Sequence, residues 1–140
     1  MGRDILKDAT NESTVIRIID STTFLPEQTV EHTTPGLDLW FRREGAARVA
    51  ITAVALVDLT TAHTDGGIEH IDDGYYRIDP PDASFATGAD GVQFGGAVTD
   101  MVVIGTYHTL VDAAAAARVV QAPVKVTVRE QRVRAKIGSE

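Results

Sequence analysis

The stretch 68–81, reading Ile-Glu-His-Ile-Asp-Asp-Gly-Tyr-Tyr-Arg-Ile-Asp-Pro-Pro, narrows the possible folds more than any other part of the chain. Asp72, Gly74 and Tyr76 have the spacing of the tyrosine corner of antiparallel sandwiches, in which an acid and a glycine make a tight turn and a tyrosine opens the next strand. Period-two alternation then sends Tyr76 and Ile78 to the core and Tyr75, Arg77 and Asp79 to water. Pro80 and Pro81 remove two backbone donors and stop the ladder. The same residues also fit a plain hairpin turn beside two aromatics. On either reading Asp72, Gly74 and Tyr76 anchor the fold and carry no chemistry.

The remaining segments repeat this strand-and-turn grammar. Residues 14–20 (Thr-Val-Ile-Arg-Ile-Ile-Asp) are β-branched and alternate, as a half-buried strand does. Residues 21–36, with Pro26, Pro35 and Gly36, read as a loop or irregular edge. Residues 37–43 form a second strand, closed by Glu44-Gly45 and returned by 48–51, which is a hairpin signature. Trp40 is expected to be the core tryptophan of a sandwich, although the Leu37, Leu39 and Phe41 register turns it outward toward a partner. In 52–67 a capping Thr52 and a Val54, Leu56, Val57, Leu59, Ala62 stripe predict a helix stopped at Gly66-Gly67. Residues 82–88 predict a helical turn with Phe85 as a core plug. Two strands follow, 92–98 with a bulge at Gly95-Gly96 and 101–111 after a Thr99-Asp100 turn. The expected fold is mainly β: an Ig-like antiparallel β-sandwich over 1–111 with one short crossover helix, then an alanine spacer and basic C-terminal strand over 112–140.

Charge divides the chain at the same place. Residues 1–117 carry 7 Lys and Arg against 18 Asp and Glu, whereas 118–140 carry 6 against 2. An acidic body repels phosphate, so no nucleic-acid partner is expected. No apolar run approaches membrane-spanning length, the first residues lack an apolar signal core, and no membrane partner is expected. Cysteine is absent, so packing alone must hold the core. In the tail, valines alternate with Lys125, Arg129, Arg132, Arg134 and Lys136. This predicts a partner-binding arm that adds as a strand to an acidic neighbour, the alternative being a last strand paired within its own sandwich.

Candidates for chemistry are few. His63, Asp65, Glu69, His70, Asp72 and Asp73 fall within eleven residues, and imidazole with carboxylate suits zinc or manganese. Their spacing matches no defined ligand motif, and Asp and Gly are what turns use anyway, so neither metal nor cofactor is expected. The pairs Asp72/Asp73 and Asp79/Asp82 lie too close in sequence to be placed across a glycosidase cleft. No serine lies in a Gly-x-Ser-x-Gly elbow and no glycine-rich phosphate loop occurs. No catalytic residue is assigned, and the chain reads as a non-enzyme.

Four blocks carry a resemblance: 36–45 (Gly-Leu-Asp-Leu-Trp-Phe-Arg-Arg-Glu-Gly), 62–67 (Ala-His-Thr-Asp-Gly-Gly), 73–88 (Asp-Gly-Tyr-Tyr-Arg-Ile-Asp-Pro-Pro-Asp-Ala-Ser-Phe-Ala-Thr-Gly) and 101–105 (Met-Val-Val-Ile-Gly). Across 4–111 the chain resembles the N-terminal β domain of a family of small tailed-bacteriophage and prophage virion structural proteins. The resemblance implies a particle component, located in the virion and in the host cytoplasm during assembly. Its partners would be capsid, neck or tail subunits and further copies of itself. Longer members continue into fibre-like sequence; this chain has one basic strand there, which favours a capsid decoration, neck or tail-accessory piece. The alternative is a host-surface or carbohydrate-binding module of a head or tail fibre, stacking sugars on Trp40, Tyr75 and Tyr107.

Overall fold

A computed structural model of the chain describes residues 2–113. The chain divides into two units, Met1–Leu110 and Val111–Glu140, and every described strand starts in the first. The expected arm residues Lys125, Arg129, Arg132, Arg134 and Lys136 lie outside the described residues.

Ten strands alternate as their side chains require. They are β1 Asp4–Leu6, β2 Thr14–Asp20, β3 Asp38–Arg43, β4 Val49–Ile51, β5 Val54–Ala55, β6 Gly67–Asp72, β7 Tyr75–Asp79, β8 Gly91–Ala97, β9 Met101–Ile104 and β10 Thr106–Val111. In β2, Thr14, Ile16 and Ile18 are buried and their neighbours half-exposed, the signature of a sheet with one wet face. The strands form two five-stranded sheets, ordered β1-β10-β8-β3-β4 and β5-β6-β7-β2-β9. One core joins them: Leu39, Phe41, Val92, Phe94 and Leu110 from the first sheet pack in one cluster with Ile16, Ile18, Ile68, Tyr76 and Ile78 from the second. Phe85, on the 3-10 turn Asp82–Phe85, plugs this cluster as expected, fully buried and 5.8 Å from the Phe94 ring. Each such side chain contributes about 1.5 to 3 kcal/mol of burial.

The chain changes sheets at Gly105. β9 pairs with β2 in the second sheet and β10 with β8 in the first. At the crossing a Cβ on residue 105 would collide with the Phe94 carbonyl, so only glycine lets the backbones pass this closely. The single strand expected over 101–111 is therefore two.

The β6–β7 turn follows the plain hairpin reading. Asp73 and Gly74 have φ of 52° and 80°, the two left-handed residues of a type I′ turn, and the Asp72 carboxylate accepts the Asp73 N–H at 2.9 Å. Tyr76 is an anchor, but not a local one. Its buried hydroxyl donates to the Glu27 carbonyl at 2.8 Å and accepts the Val30 N–H at 3.1 Å. It thus ties the irregular loop before β3 to the second sheet, where a tyrosine corner would bond only a few residues upstream.

Four further expectations are corrected. The stretch 52–67 contains no helix: Val54–Ala55 runs parallel to Gly67–Ile68 as an edge strand, and the Asp58 carboxylate takes the Thr60 N–H and hydroxyl in a turn. A side chain that bonds nearby backbone competes with helix, and an unpaired sheet edge rewards a strand. Gly95-Gly96 makes no bulge, because β3 and β8 stay in continuous register from Asp38↔Ala97 to Arg43↔Val92. Trp40 is only half-buried, facing away from the core between buried Leu39 and Phe41. Asp79 does not face water but is fully buried.

Two outcomes test this packing. Tyr76→Phe is expected to cost about 1 to 3 kcal/mol, since it leaves a buried amide unpaired, and Tyr76→Ala about 3 to 5; equal, small losses in denaturant unfolding would contradict the anchor. His108 is buried between the Arg3 N–H, which its Nδ1 accepts at 3.1 Å, and the Thr14 hydroxyl, 2.6 Å from Nε2. Burial, helped by the Arg3 charge, pulls its pKa below the ordinary 6.5. A lowered pKa means the unfolded chain takes up the proton first, so this stability is complete above pH 6.5 and is lost as pH falls through the folded value. The wild type is expected to lose stability more steeply than His108→Gln between pH 7 and 5; parallel pH curves would contradict this.

Candidate functional site

The prolines after β7 bend the chain at a point where a carboxylate has to be buried. Asp79, the last residue of β7, accepts the Arg77 Nε and Nη2 hydrogens at 2.8 and 2.7 Å, the Ser13 hydroxyl at 2.6 Å and the Thr64 N–H at 3.1 Å. Its backbone carbonyl accepts the Gly66 N–H at 2.7 Å, and Arg77 also donates to the Leu59 carbonyl at 2.8 Å. Burial alone raises the Asp79 pKa, but the hydrogen bonds from Arg77, Ser13 and Thr64 and the Arg77 charge outweigh it and hold it below 3.8. This carboxylate stays ionised and works as a clamp on three segments.

Beside the clamp, His63 and Asp65 meet Asp82. The His63 side chain is only 7% exposed; its Nε2 lies 3.1 Å from the Pro80 carbonyl and its Nδ1 3.7 Å from Asp65 Oδ1. One ligand-type atom from each of His63, Asp65 and Asp82 lies within 4.8 Å of the others. Asp82 Oδ1 also accepts the Asn11 N–H at 2.8 Å.

The other members of the expected cluster go elsewhere. Glu69 and His70 line a groove of about 450 Å³ together with Gln28, Glu31 and His32. His70 Nε2 is buried there with no hydrogen-bond partner among the described residues, its ring 5.0 Å from Tyr76. Asp72 and Asp73 stay in the hairpin turn. Asp82 entered the sequence reading only as a carboxylate pair with Asp79; the available signal was Pro80-Pro81, which turns the chain and brings residue 82 back toward 63–65. His32 had no signal, since nothing local marks a loop residue that faces a distant strand.

The three aromatic candidates do not share a surface. Trp40 and Tyr107 lie on the outer face of the first sheet, their rings over glycines of β8: Trp40 over its partner Gly95, and Tyr107, paired with Gln93, diagonally over Gly91. The Arg48 guanidinium sits 5.9 Å from the Trp40 ring, and the Tyr107 hydroxyl donates to Glu44. Tyr75 is on the second sheet, 5.0 Å from the Arg17 guanidinium. At the β9 edge of that second sheet, which has no further strand partner among the described residues, Val102 and Ile104 are each 41% exposed; the loop after β2 presents Phe24 at 68% and Leu25 at 64%. Residues 25–27 run along the other side of β2, the side that β7 occupies, with Asp20 N–H bonding the Leu25 carbonyl and Glu27 N–H the Ile18 carbonyl.

Removing one partner of the buried pair tests the clamp. Asp79→Ala is expected to cost about 3 to 5 kcal/mol, because it strands the Arg77 charge. Since the Asp79 pKa is lowered, its contribution is complete above pH 3.8 and disappears as pH falls through the folded value. Acid titration monitored by circular dichroism should therefore show the gap between wild type and variant narrowing as pH falls below 3.8; a gap that stays constant to the acid end of the titration would contradict the ionised clamp.

Family models, curated protein sequences and solved structures contain no match to this chain.

Proposed function

We propose that this protein is a non-enzymatic structural component of a tailed-bacteriophage particle, an Ig-like sandwich that docks as a capsid decoration, neck or tail-accessory subunit on other virion proteins. The observation that carries this reading is the pair of exposed apolar side chains on the β9 edge strand, Val102 and Ile104. Large apolar side chains exposed on a strand whose outer edge has no partner among the described residues mark a surface made for another chain. The resemblance over 4–111 supplies the class of partner. The basic segment 118–137 supplies a second contact on this reading, its alternating valines suited to strand addition and its cations to an acidic neighbour.

Assembly tests this directly. Val102→Lys with Ile104→Lys is expected to leave a folded, soluble protein that no longer incorporates into particles, and truncation after Ala117 is expected to do the same. Wild-type incorporation of the double variant would overturn the edge as a docking surface. Unfolding of the truncated chain would instead assign the C-terminal strand to its own core.

A second reading, a host-surface or carbohydrate-binding module, is favoured by one observation. Trp40 and Tyr107 lie on one face over glycines four residues apart in β8, a spacing of about 13 Å along a strand. Trp40→Ala that abolishes adsorption of particles to host cells while leaving incorporation intact would support it.

A further inference from the structure

The geometry points to a divalent transition-metal site formed by His63 Nδ1 and the carboxylates of Asp65 and Asp82. It does not depend on which partner the protein docks.

The imidazole carries the argument. A carbonyl oxygen only accepts, so the ring atom 3.1 Å from the Pro80 carbonyl, Nε2, bears the hydrogen and donates it. The lone pair is then on Nδ1, and that nitrogen makes no hydrogen bond among the described residues while the side chain is 93% buried. What faces it is a carboxylate oxygen, Asp65 Oδ1, at 3.7 Å. Two acceptors pointed at one another repel unless a cation lies between them. An imidazole held from behind by a backbone carbonyl, with its free nitrogen turned toward carboxylates, is the arrangement that orients histidine ligands in metal sites.

The carboxylates complete the set. Among the described residues neither Asp65 nor Asp82 pairs with a Lys or Arg. Asp82 has one oxygen committed to the Asn11 N–H, which orients its carboxylate as an outer partner orients a ligand. Bonds of about 2.0 to 2.2 Å to one ion require the donors to close in from their present 4.8 Å envelope. Asp65 is exposed and can swing, Asp82 is exposed with one oxygen held by Asn11 and the other uncommitted, and His63 is fixed. One imidazole nitrogen with two carboxylates suits zinc or manganese, whereas calcium asks for six to eight oxygens.

An ion here would join three segments already drawn together by Asp79: the loop before β6, the start of the 3-10 turn, and the loop before β2 through Asn11. It would act as a staple, with water in its open positions.

The test uses the full chain, stripped with a chelator and dialysed. Titration with zinc or manganese chloride is expected to show one ion per chain in calorimetry, with a rise of several degrees in melting temperature, while magnesium and calcium give no shift. Asp82→Asn and His63→Gln are expected to abolish the shift, and Glu69→Gln, in the separate groove, to retain it. Asp82→Asn lies on an exposed turn and keeps the test decisive should His63→Gln fail to fold. Absence of stoichiometric binding, or an undiminished shift in Asp82→Asn, overturns the proposal.

Discussion

Burying a carboxylate costs several kcal/mol unless each oxygen is satisfied, and one end of this protein is arranged around meeting that demand for Asp79. Arg77 forks onto it from two residues earlier in β7, where a strand would ordinarily send both side chains to the same wet face. Ser13 reaches it from the turn before β2, and Thr64 offers an amide from the loop before β6. Three stretches distant in sequence are thereby held at fixed positions. The neighbours of those donors, His63, Asp65 and Asp82, come together as a consequence.

The other end of β7 repeats the device with a neutral group. Tyr76 spans the core and spends its hydroxyl on the backbone of residues 27 and 30. The irregular loop, which has few strand partners of its own apart from the Ile19↔Pro26 bridge, is secured that way. A single five-residue strand thus places the long loop before β3 with its tyrosine and the loop before β6 with its aspartate. Val102 and Ile104, exposed on β9, sit at one margin of the same sheet.

Much of the fold was legible because alternation and turn chemistry are local. β2, the β3–β4 hairpin, the Thr99-Asp100 turn and the Phe85 plug all follow from residues within about ten positions of one another. What was not legible depends on partners far along the chain. The 52–62 stripe has helical spacing, yet the edge of β6 and the Asp58 turn decide for a strand. Gly95 looks like a bulge until the Trp40 ring is placed on it. Asp79 obeys strand periodicity for a wet position, and two of the groups that satisfy it once buried, Ser13 and Thr64, lie 66 and 15 residues away. The candidate cluster shows the same limit: proximity in sequence kept His63 with Asp65 but attached Glu69 and His70 wrongly, since successive positions on β6 leave the site.

The central claim is that Asp79 on β7 organises the loop at 63–66. Amide hydrogen exchange on Asp79→Asn reads this most directly, because Thr64 N–H donates to the lost carboxylate and Gly66 N–H to the backbone beside it. The account expects exchange at Thr64 and Gly66 to accelerate strongly while Val30, held by Tyr76 at the far end of the strand, keeps its protection relative to global stability. Uniform acceleration at all three amides, or unchanged exchange at Thr64, would contradict it.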